Sequence, residues 1–98
     1  MLHVVAKFKV QSGQEEEIKK SFIQALPEVE KEAGTLEYRL LQSQNNPSEF
    51  TVYEKYTDVD AFMTHGAAPY LGEMIGAWVP ILDGELEVIT FDEIAAKG

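Results

Sequence analysis

The order in which hydrophobic periodicity changes along this chain restricts it to few folds. In residues 2–10 apolar and other side chains alternate, which places every second side chain on one face of a strand. From residue 18 to residue 33 the apolar positions recur at helical spacing. Residues 35–44 alternate again, and residues 50–56 are dominated by aromatic and β-branched residues. The Asn-Asn-Pro-Ser turn at residues 45–48 predicts that these two strands form an antiparallel hairpin.

The second half of the chain repeats the alternation of helix and strand. Asp58 is placed to cap a helix that ends near residues 65–66, and Pro69 suits the first turn of another helix. Residues 85–91 alternate as a last strand. The order strand, helix, two strands, helices, strand predicts an α+β fold, the ferredoxin-like split βαβ arrangement. A chain of 98 residues is expected to form one domain, residues 1–98.

Four residues predict how the first helix begins and ends. Ser12 and Glu15 have the spacing of a capping box, in which each side chain accepts a hydrogen bond from the other residue's amide. Pro27 lies within the helical pattern and has no amide hydrogen, so we expect a kink or a break there. Gly34 is placed to end the helix in the left-handed conformation.

The predicted strands carry apolar residues on both faces. One set includes Val4, Leu40, Val52 and Val88, and the opposite set includes Val5, Leu41, Tyr53, Ile89 and Phe91. The helices of this fold can cover only one face of the sheet, so the second face needs another cover. We therefore expect a homodimer in which two sheets pack face to face.

The composition excludes several partners and chemistries. A net charge of −9 argues against nucleic acid or an anionic membrane as a partner, because both bind clusters of Lys and Arg. The absence of cysteine excludes disulfides, thiolate metal sites and cysteine nucleophiles. Lys7 and Lys9 interrupt the apolar residues near the N-terminus, so we expect no signal peptide. No apolar run reaches the length of a membrane span, and the chain is expected to be cytoplasmic.

His65 and Glu54 are the two candidates for acid–base chemistry. A histidine side chain ordinarily titrates near neutral pH, although a histidine near a helix C-terminus is also favoured there by the dipole alone. Glu54 points to the apolar face of its strand, where a carboxyl group either pairs with a cation or has a raised pKa. A structural ion pair or a hydrogen bond to a helix end is the alternative role for Glu54. Arg39 and Lys55 have the opposite strand parity, so a cation from a second subunit is the remaining possibility.

Aromatic side chains are numerous enough to line a pocket. The candidates for contact with a substrate are Tyr38, Tyr53, Tyr56, Phe62, Tyr70 and Trp78. In most proteins such residues belong to a core or an interface, but as pocket walls they supply flat apolar surfaces and hydroxyl groups that orient a ligand. A metal site is not expected, because His3 and His65 are the only imidazoles and no ligand spacing surrounds them. There is also no phosphate-binding glycine loop and no G-x-S-x-G motif.

The segments that carry these features resemble one family. They are residues 32–38 (Glu-Ala-Gly-Thr-Leu-Glu-Tyr), residues 50–56 (Phe-Thr-Val-Tyr-Glu-Lys-Tyr), residues 60–62 (Asp-Ala-Phe), His65 and residues 69–71 (Pro-Tyr-Leu). In this order, over nearly the whole chain, they resemble the antibiotic biosynthesis monooxygenase domain family. The resemblance implies ferredoxin-like subunits that pair into a dimeric α/β barrel. Many members of that family are small cofactor-free oxygenases acting on quinols or polycyclic phenols, and some degrade haem.

The resemblance extends unevenly to individual residues. Glu54 matches the glutamate that usually follows the aromatic residues of the third strand, and His65 matches the histidine that usually ends the next helix. Tyr70 stands where the quinol-type members often have a second histidine, so a two-histidine mechanism is not implied. The haem-degrading members match less closely, because Ala6, His65 and Ile75 stand where they have asparagine, tryptophan and histidine.

The resemblance also implies a mechanism in which no metal or flavin takes part. A dihydroxyaromatic substrate becomes electron-rich on losing a proton and can then reduce dioxygen directly. His65 is the first candidate for the base, and Glu54 is the second. Two alternatives remain: a non-catalytic dimer that binds a small aromatic molecule, and an isomerase or decarboxylase on the same fold.

Overall fold

Four antiparallel strands form one sheet, and three α-helices pack on one of its faces. The computed structural model describes residues 1–98. The elements are β1 (Leu2–Lys9), α1 (Glu15–Val29), β2 (Thr35–Gln42), β3 (Glu49–Tyr56), α2 (Val59–Gly66), α3 (Pro69–Trp78), a short 3₁₀ helix (Val79–Ile81) and β4 (Glu87–Asp92). The strand order is β2-β3-β1-β4, and all neighbouring strands are antiparallel. The predicted ferredoxin-like arrangement is confirmed.

The strand register assigns each side chain to one of two faces. Ala6 lies opposite Val52 and Val88, and Val52 lies opposite Leu40, so these side chains share the face covered by the helices, here called the inner face. The core on this face consists of Ala6, Phe8, Val10, Ile18, Phe22, Ala25, Phe50, Val52, Met74 and Trp78. The opposite set of apolar residues faces away from the helices, and we call that side the outer face.

The start of α1 differs from the predicted capping box. The helix begins at Glu15, and neither Ser12 nor Gln14 accepts a cap hydrogen bond. Gly13 adopts a φ of +91°, and its amide donates to the Glu15 carboxylate at 3.0 Å. A left-handed glycine thus presents its own amide to the glutamate that the capping box would have used. The helix also continues through Pro27 and ends at Val29, so it stops slightly later than the expected break.

Gly34 does not end α1, and its conformation is not left-handed. A Cβ atom at this position would lie 2.5 Å from the Cβ of Ala61 and 3.3 Å from the Oγ1 of Thr57. The predicted role is therefore wrong. Glycine is needed here because the backbone before β2 approaches α2 more closely than any side chain would allow.

The two helices of the second half begin as predicted. The side chain of Asp58 accepts a hydrogen bond from the Ala61 amide at 2.8 Å, which caps α2. Pro69 occupies the first turn of α3, where its missing amide hydrogen is no disadvantage. None of the helices has the length and apolar character needed to cross a membrane. The cytoplasmic location stays a prediction.

Candidate active site

An apolar cavity of about 240 Å³ lies between the inner face of the sheet and helices α2 and α3. Twelve residues line it, and nine of them are hydrophobic. They are Ala6, Tyr38, Val52, Glu54, Phe62, His65, Gly66, Leu71, Ile75, Trp78, Leu86 and Val88. Both acid–base candidates are therefore part of one mostly apolar wall.

A larger hollow of about 480 Å³ lies elsewhere on the molecule. It is lined mainly by charged residues such as Lys7, Lys9 and Glu49, and it contains none of the predicted site residues. Lys9 and Glu49 already pair with each other at 3.2 Å. Because binding sites for small molecules are mostly apolar with a few polar groups, the smaller cavity is the better candidate.

His65 lies in the last turn of α2, and only 2% of its surface is exposed. Its Nδ1 atom lies 2.7 Å from the Oε1 of Glu32. Its Nε2 atom is buried and has no hydrogen-bond partner, and it lies 3.9 Å from the Oε1 of Glu54. Buried polar atoms without a partner are rare because they lose the hydrogen bonds of water. His65 is one of the residues that line the cavity, and Nε2 is its ring nitrogen without a hydrogen bond.

Glu54 projects from β3 onto the inner face, as its strand parity predicts. The hydroxyl of Tyr56 donates to its Oε1 atom. Burial raises the pKa of Glu54, although the hydrogen bond from Tyr56 and the proximity of His65 act in the opposite direction. Arg39 lies opposite Tyr53 in the register, on the outer face, so it does not reach Glu54 within the chain. Strand parity disfavoured an ion pair between Glu54 and Arg39, and Arg39 pairs with Glu37 instead.

Glu32 is a member of this site that the sequence did not single out. It follows α1, and its carboxylate accepts hydrogen bonds from His65 at 2.7 Å, Tyr70 at 2.6 Å and Thr35 at 2.9 Å. Partial burial acts to raise the pKa of Glu32, but the hydrogen bonds from Tyr70, His65 and Thr35 outweigh it and hold the pKa below its usual value. Its only sequence signal was its place in the family-like segment at residues 32–38.

Three of the six predicted aromatic residues line the cavity. Tyr38, Phe62 and Trp78 line it directly. The ring centroid of Tyr38 lies 5.0 Å from that of His65, and the indole N–H of Trp78 donates to Ser21 at 2.6 Å. Tyr56 and Tyr70 are not part of the lining, but the Tyr56 hydroxyl donates to Glu54 and the Tyr70 hydroxyl donates to Glu32.

Tyr53 does not line this cavity, and its contact with a substrate stays a prediction. It lies on the outer face, where its hydroxyl is 2.6 Å from the Nδ1 of His3. Adjacent residues of a strand point to opposite faces, so Tyr53 and Glu54 cannot line the same side of the sheet.

Two polar atoms near the cavity, His65 Nε2 and Glu54 Oε1, could together bind a polar group of a ligand. The 3.9 Å between His65 Nε2 and Glu54 Oε1 is too long for a direct hydrogen bond. An oxygen atom to one side of the line that joins them could be within hydrogen-bond distance of both. No group of three or more His, Cys, Asp or Glu side chains is arranged to hold a metal ion. The fold and site therefore define a small α+β protein in which a histidine and a glutamate line an apolar pocket.

Comparisons with known proteins agree with this class. A sequence model of the family described as antibiotic biosynthesis monooxygenase matches residues 1–77, and the chain belongs to that family. The chain is similar to a protein from Caulobacter crescentus CB15 (29% identity, TM-score 0.88, covering 96% of this chain and 90% of that one). It is also similar to a conserved protein from Methanosarcina mazei Go1 (26% identity, TM-score 0.87, covering 92% and 89%). A structure described as an antibiotic biosynthesis monooxygenase shares the fold at 19% identity (TM-score 0.89, covering 97% and 100%).

Proposed function

We propose that this protein is a monooxygenase that needs no cofactor and that acts on a quinol or a polycyclic phenol. The observation that supports this most directly is the unpartnered Nε2 atom of His65, a residue that lines an apolar cavity. Membership of the antibiotic biosynthesis monooxygenase family supports the reaction class. The apolar lining suits the rings of the substrate, and the pair formed by His65 and Glu54 suits its hydroxyl group.

The proposed reaction begins with a proton transfer. His65 Nε2 removes the proton of a ring hydroxyl, and the electron-rich anion then transfers electrons to dioxygen, which bonds to a ring carbon. Cleavage of the O–O bond leaves a carbonyl oxygen on that carbon, and the second oxygen atom leaves as water after taking up protons. The ring loses two hydrogens and gains one oxygen, so one molecule of dioxygen accounts for all atoms and electrons. Glu54, with its raised pKa, can return a proton to the departing oxygen.

The size of the cavity narrows the substrate within this class. A protein cavity of about 150 Å³ holds a benzene molecule. The cavity of about 240 Å³ therefore has room for one ring or two fused rings and is small for a larger ring system. We expect a quinol with one or two rings to be a better substrate than a polycyclic phenol.

Oxygen consumption distinguishes this function from its two alternatives. The protein, freed of metal and flavin, is mixed with a panel of one-ring and two-ring quinols and with a three-ring anthrone in an oxygen electrode. A monooxygenase consumes one dioxygen for each substrate converted, with the smaller quinols preferred. Substrate conversion without oxygen uptake would show an isomerase or decarboxylase, and binding without either would show a non-catalytic binding protein. Both of these results contradict the proposal.

We further propose that the chain acts as one domain, residues 1–98, and forms a homodimer through the outer face. Strand β4 lies beyond the residues matched by the family model and pairs with β1 in the same sheet, which supports a single domain. On the outer face Phe91 is 47% exposed and lies on the same strand as Ile89, which is paired with Val5. Leu41 is 49% exposed on the outer face of β2, at the other edge of the sheet. A second copy of the same face would cover this apolar surface. Light scattering after size exclusion should give twice the mass of the chain, and a monomer at micromolar concentration would contradict the dimer.

A further inference from the structure

Glu32 lies outside the lining of the cavity, yet its carboxylate contacts the ring of the proposed base. We infer that Glu32 is a positioning residue, which holds His65 in the tautomer whose free electron pair lies on Nε2 and faces Glu54. The consequence for catalysis rests on the proposed function, but the tautomer itself does not.

The tautomer follows from the chemistry of the contact. An ionised carboxylate can only accept hydrogen bonds, so the Nδ1 atom at 2.7 Å from Glu32 must carry the hydrogen. The hydroxyl of Tyr70 donates to the other oxygen of Glu32 at 2.6 Å, and its own oxygen lies 3.2 Å from Nδ1, where it can accept from the same N–H. A neutral imidazole with hydrogen on Nδ1 has its electron pair on Nε2. That nitrogen is the one without a partner.

Two residues besides His65 hold the carboxylate. Thr35, at the start of β2, donates to Oε1, and Tyr70, in the first turn of α3, donates to Oε2. Burial and the hydrogen bond to Glu32 raise the pKa of Tyr70, so this residue stays a neutral donor. With both oxygens bonded, Glu32 cannot rotate without losing these contacts. Its position fixes the plane of the His65 ring as well as its tautomer.

The same contact stabilises the ring after it has taken a proton. The titratable groups that face the ring are Glu32, Glu54, Tyr38, Tyr56 and Tyr70. Among them Glu32 is the closest to a ring nitrogen. A carboxylate at this distance compensates the positive charge of an imidazolium, as the carboxylate of a Ser-His-Asp triad does. Removing it should slow proton transfer without changing the cavity.

The other histidine of the chain provides an internal reference. His3 Nε2 lies 2.8 Å from the Oε1 of Glu93, and its Nδ1 lies 2.6 Å from the Tyr53 hydroxyl. The carboxylate requires hydrogen on Nε2, and Nδ1 then accepts from the tyrosine. The two histidines should therefore have opposite tautomers in one sample.

Nitrogen NMR of protein with ¹⁵N-labelled histidine tests the inference without any substrate. At a pH where both imidazoles are neutral, two-bond ¹H–¹⁵N spectra should show the hydrogen of His65 on Nδ1 and that of His3 on Nε2. Glu32→Ala should move the His65 hydrogen toward Nε2 and leave His3 unchanged. The control Glu30→Ala removes an exposed carboxylate from the adjacent turn and should change neither ring. A wild-type His65 with its hydrogen on Nε2 would overturn the inference even if the variant does not fold, and so would an unchanged tautomer in a folded Glu32→Ala protein.

Turnover then separates this inference from the proposed function. With a quinol that the wild type oxidises, Glu32→Ala should lower kcat by about 10²-fold or more while KM stays within about twofold. Glu30→Ala should change neither value. If the wild type consumes no oxygen while the tautomers are as expected, the proposed function fails and the positioning by Glu32 stands. Unchanged kcat in Glu32→Ala, with His65→Ala inactive, would refute the catalytic role of Glu32 alone.

Discussion

Gly34→Ala tests whether the approach of the chain to α2 is as close as the structure shows. The new Cβ would lie 2.5 Å from the Cβ of Ala61, whereas carbon atoms in contact prefer about 3.5–4.0 Å. The two backbones must therefore separate by about 1 Å. Overpacking of this kind lowers the free energy of unfolding by about 1–3 kcal/mol. Because α2 carries His65, we also expect kcat to fall. Urea unfolding followed by circular dichroism measures the first effect.

A double-mutant cycle with Ala61→Gly tests whether the contact with Ala61 causes the loss of stability in Gly34→Ala. Ala61→Gly alone should cost up to about 1 kcal/mol, because glycine is a poor helix former. It also removes the atom against which the new methyl group clashes, and the next neighbour, Thr57 Oγ1, would lie at 3.3 Å. Gly34→Ala should therefore cost about 1–2 kcal/mol less in the Ala61→Gly protein than in the wild type. The same cost in both backgrounds would refute the close-contact explanation.

Two further predictions concern the buried carboxyl group and the outer face. Burial raises the pKa of Glu54, so the folded state binds its proton more tightly than the unfolded state, and this contribution to stability is lost as pH rises through the raised pKa. The free energy of unfolding of Glu54→Gln, measured with urea, should therefore exceed that of the wild type by about 1–2 kcal/mol at neutral pH. At acidic pH the two proteins should be equally stable. A difference that does not depend on pH would contradict this. Leu41→Lys should convert the dimer to monomer in light scattering, because it places a charge on the outer face, whereas Ile23→Lys, at a 63% exposed site on α1, should not. Dissociation by both variants, or by neither, would count against the outer face as the interface.

Periodicity alone predicted the fold and the inward position of Glu54. Alternation and helical spacing depend on which side chains are removed from water, so they predicted the order of the elements and the two faces of the sheet. The same parity rule excludes Tyr53 from the face that carries Glu54. Tyr53 was chosen by residue type rather than by parity, and it does not line the cavity.

Local sequence patterns could not predict the contacts between residues that are distant in the sequence. Glu32 meets His65 only because the turn after α1 packs against the ends of α2 and α3, and no spacing rule connects residues 33 positions apart. The need for glycine at position 34 also comes from a contact between distant residues. A glycine just after a helix predicts a left-handed cap, but here a tertiary contact with Ala61 determines the residue.

The turnover of His65→Ala shows whether His65 is the base of the proposed reaction. The assay is oxygen uptake with the best quinol of the panel, in protein free of metal and flavin, with folding checked by circular dichroism. His3→Ala serves as the control because His3 lies on the outer face, away from the cavity. If His65 is the base, its removal should lower kcat by about 10²–10⁴-fold while His3→Ala keeps nearly full activity. Equal turnover in a folded His65→Ala protein and the wild type would show that His65 is not the base.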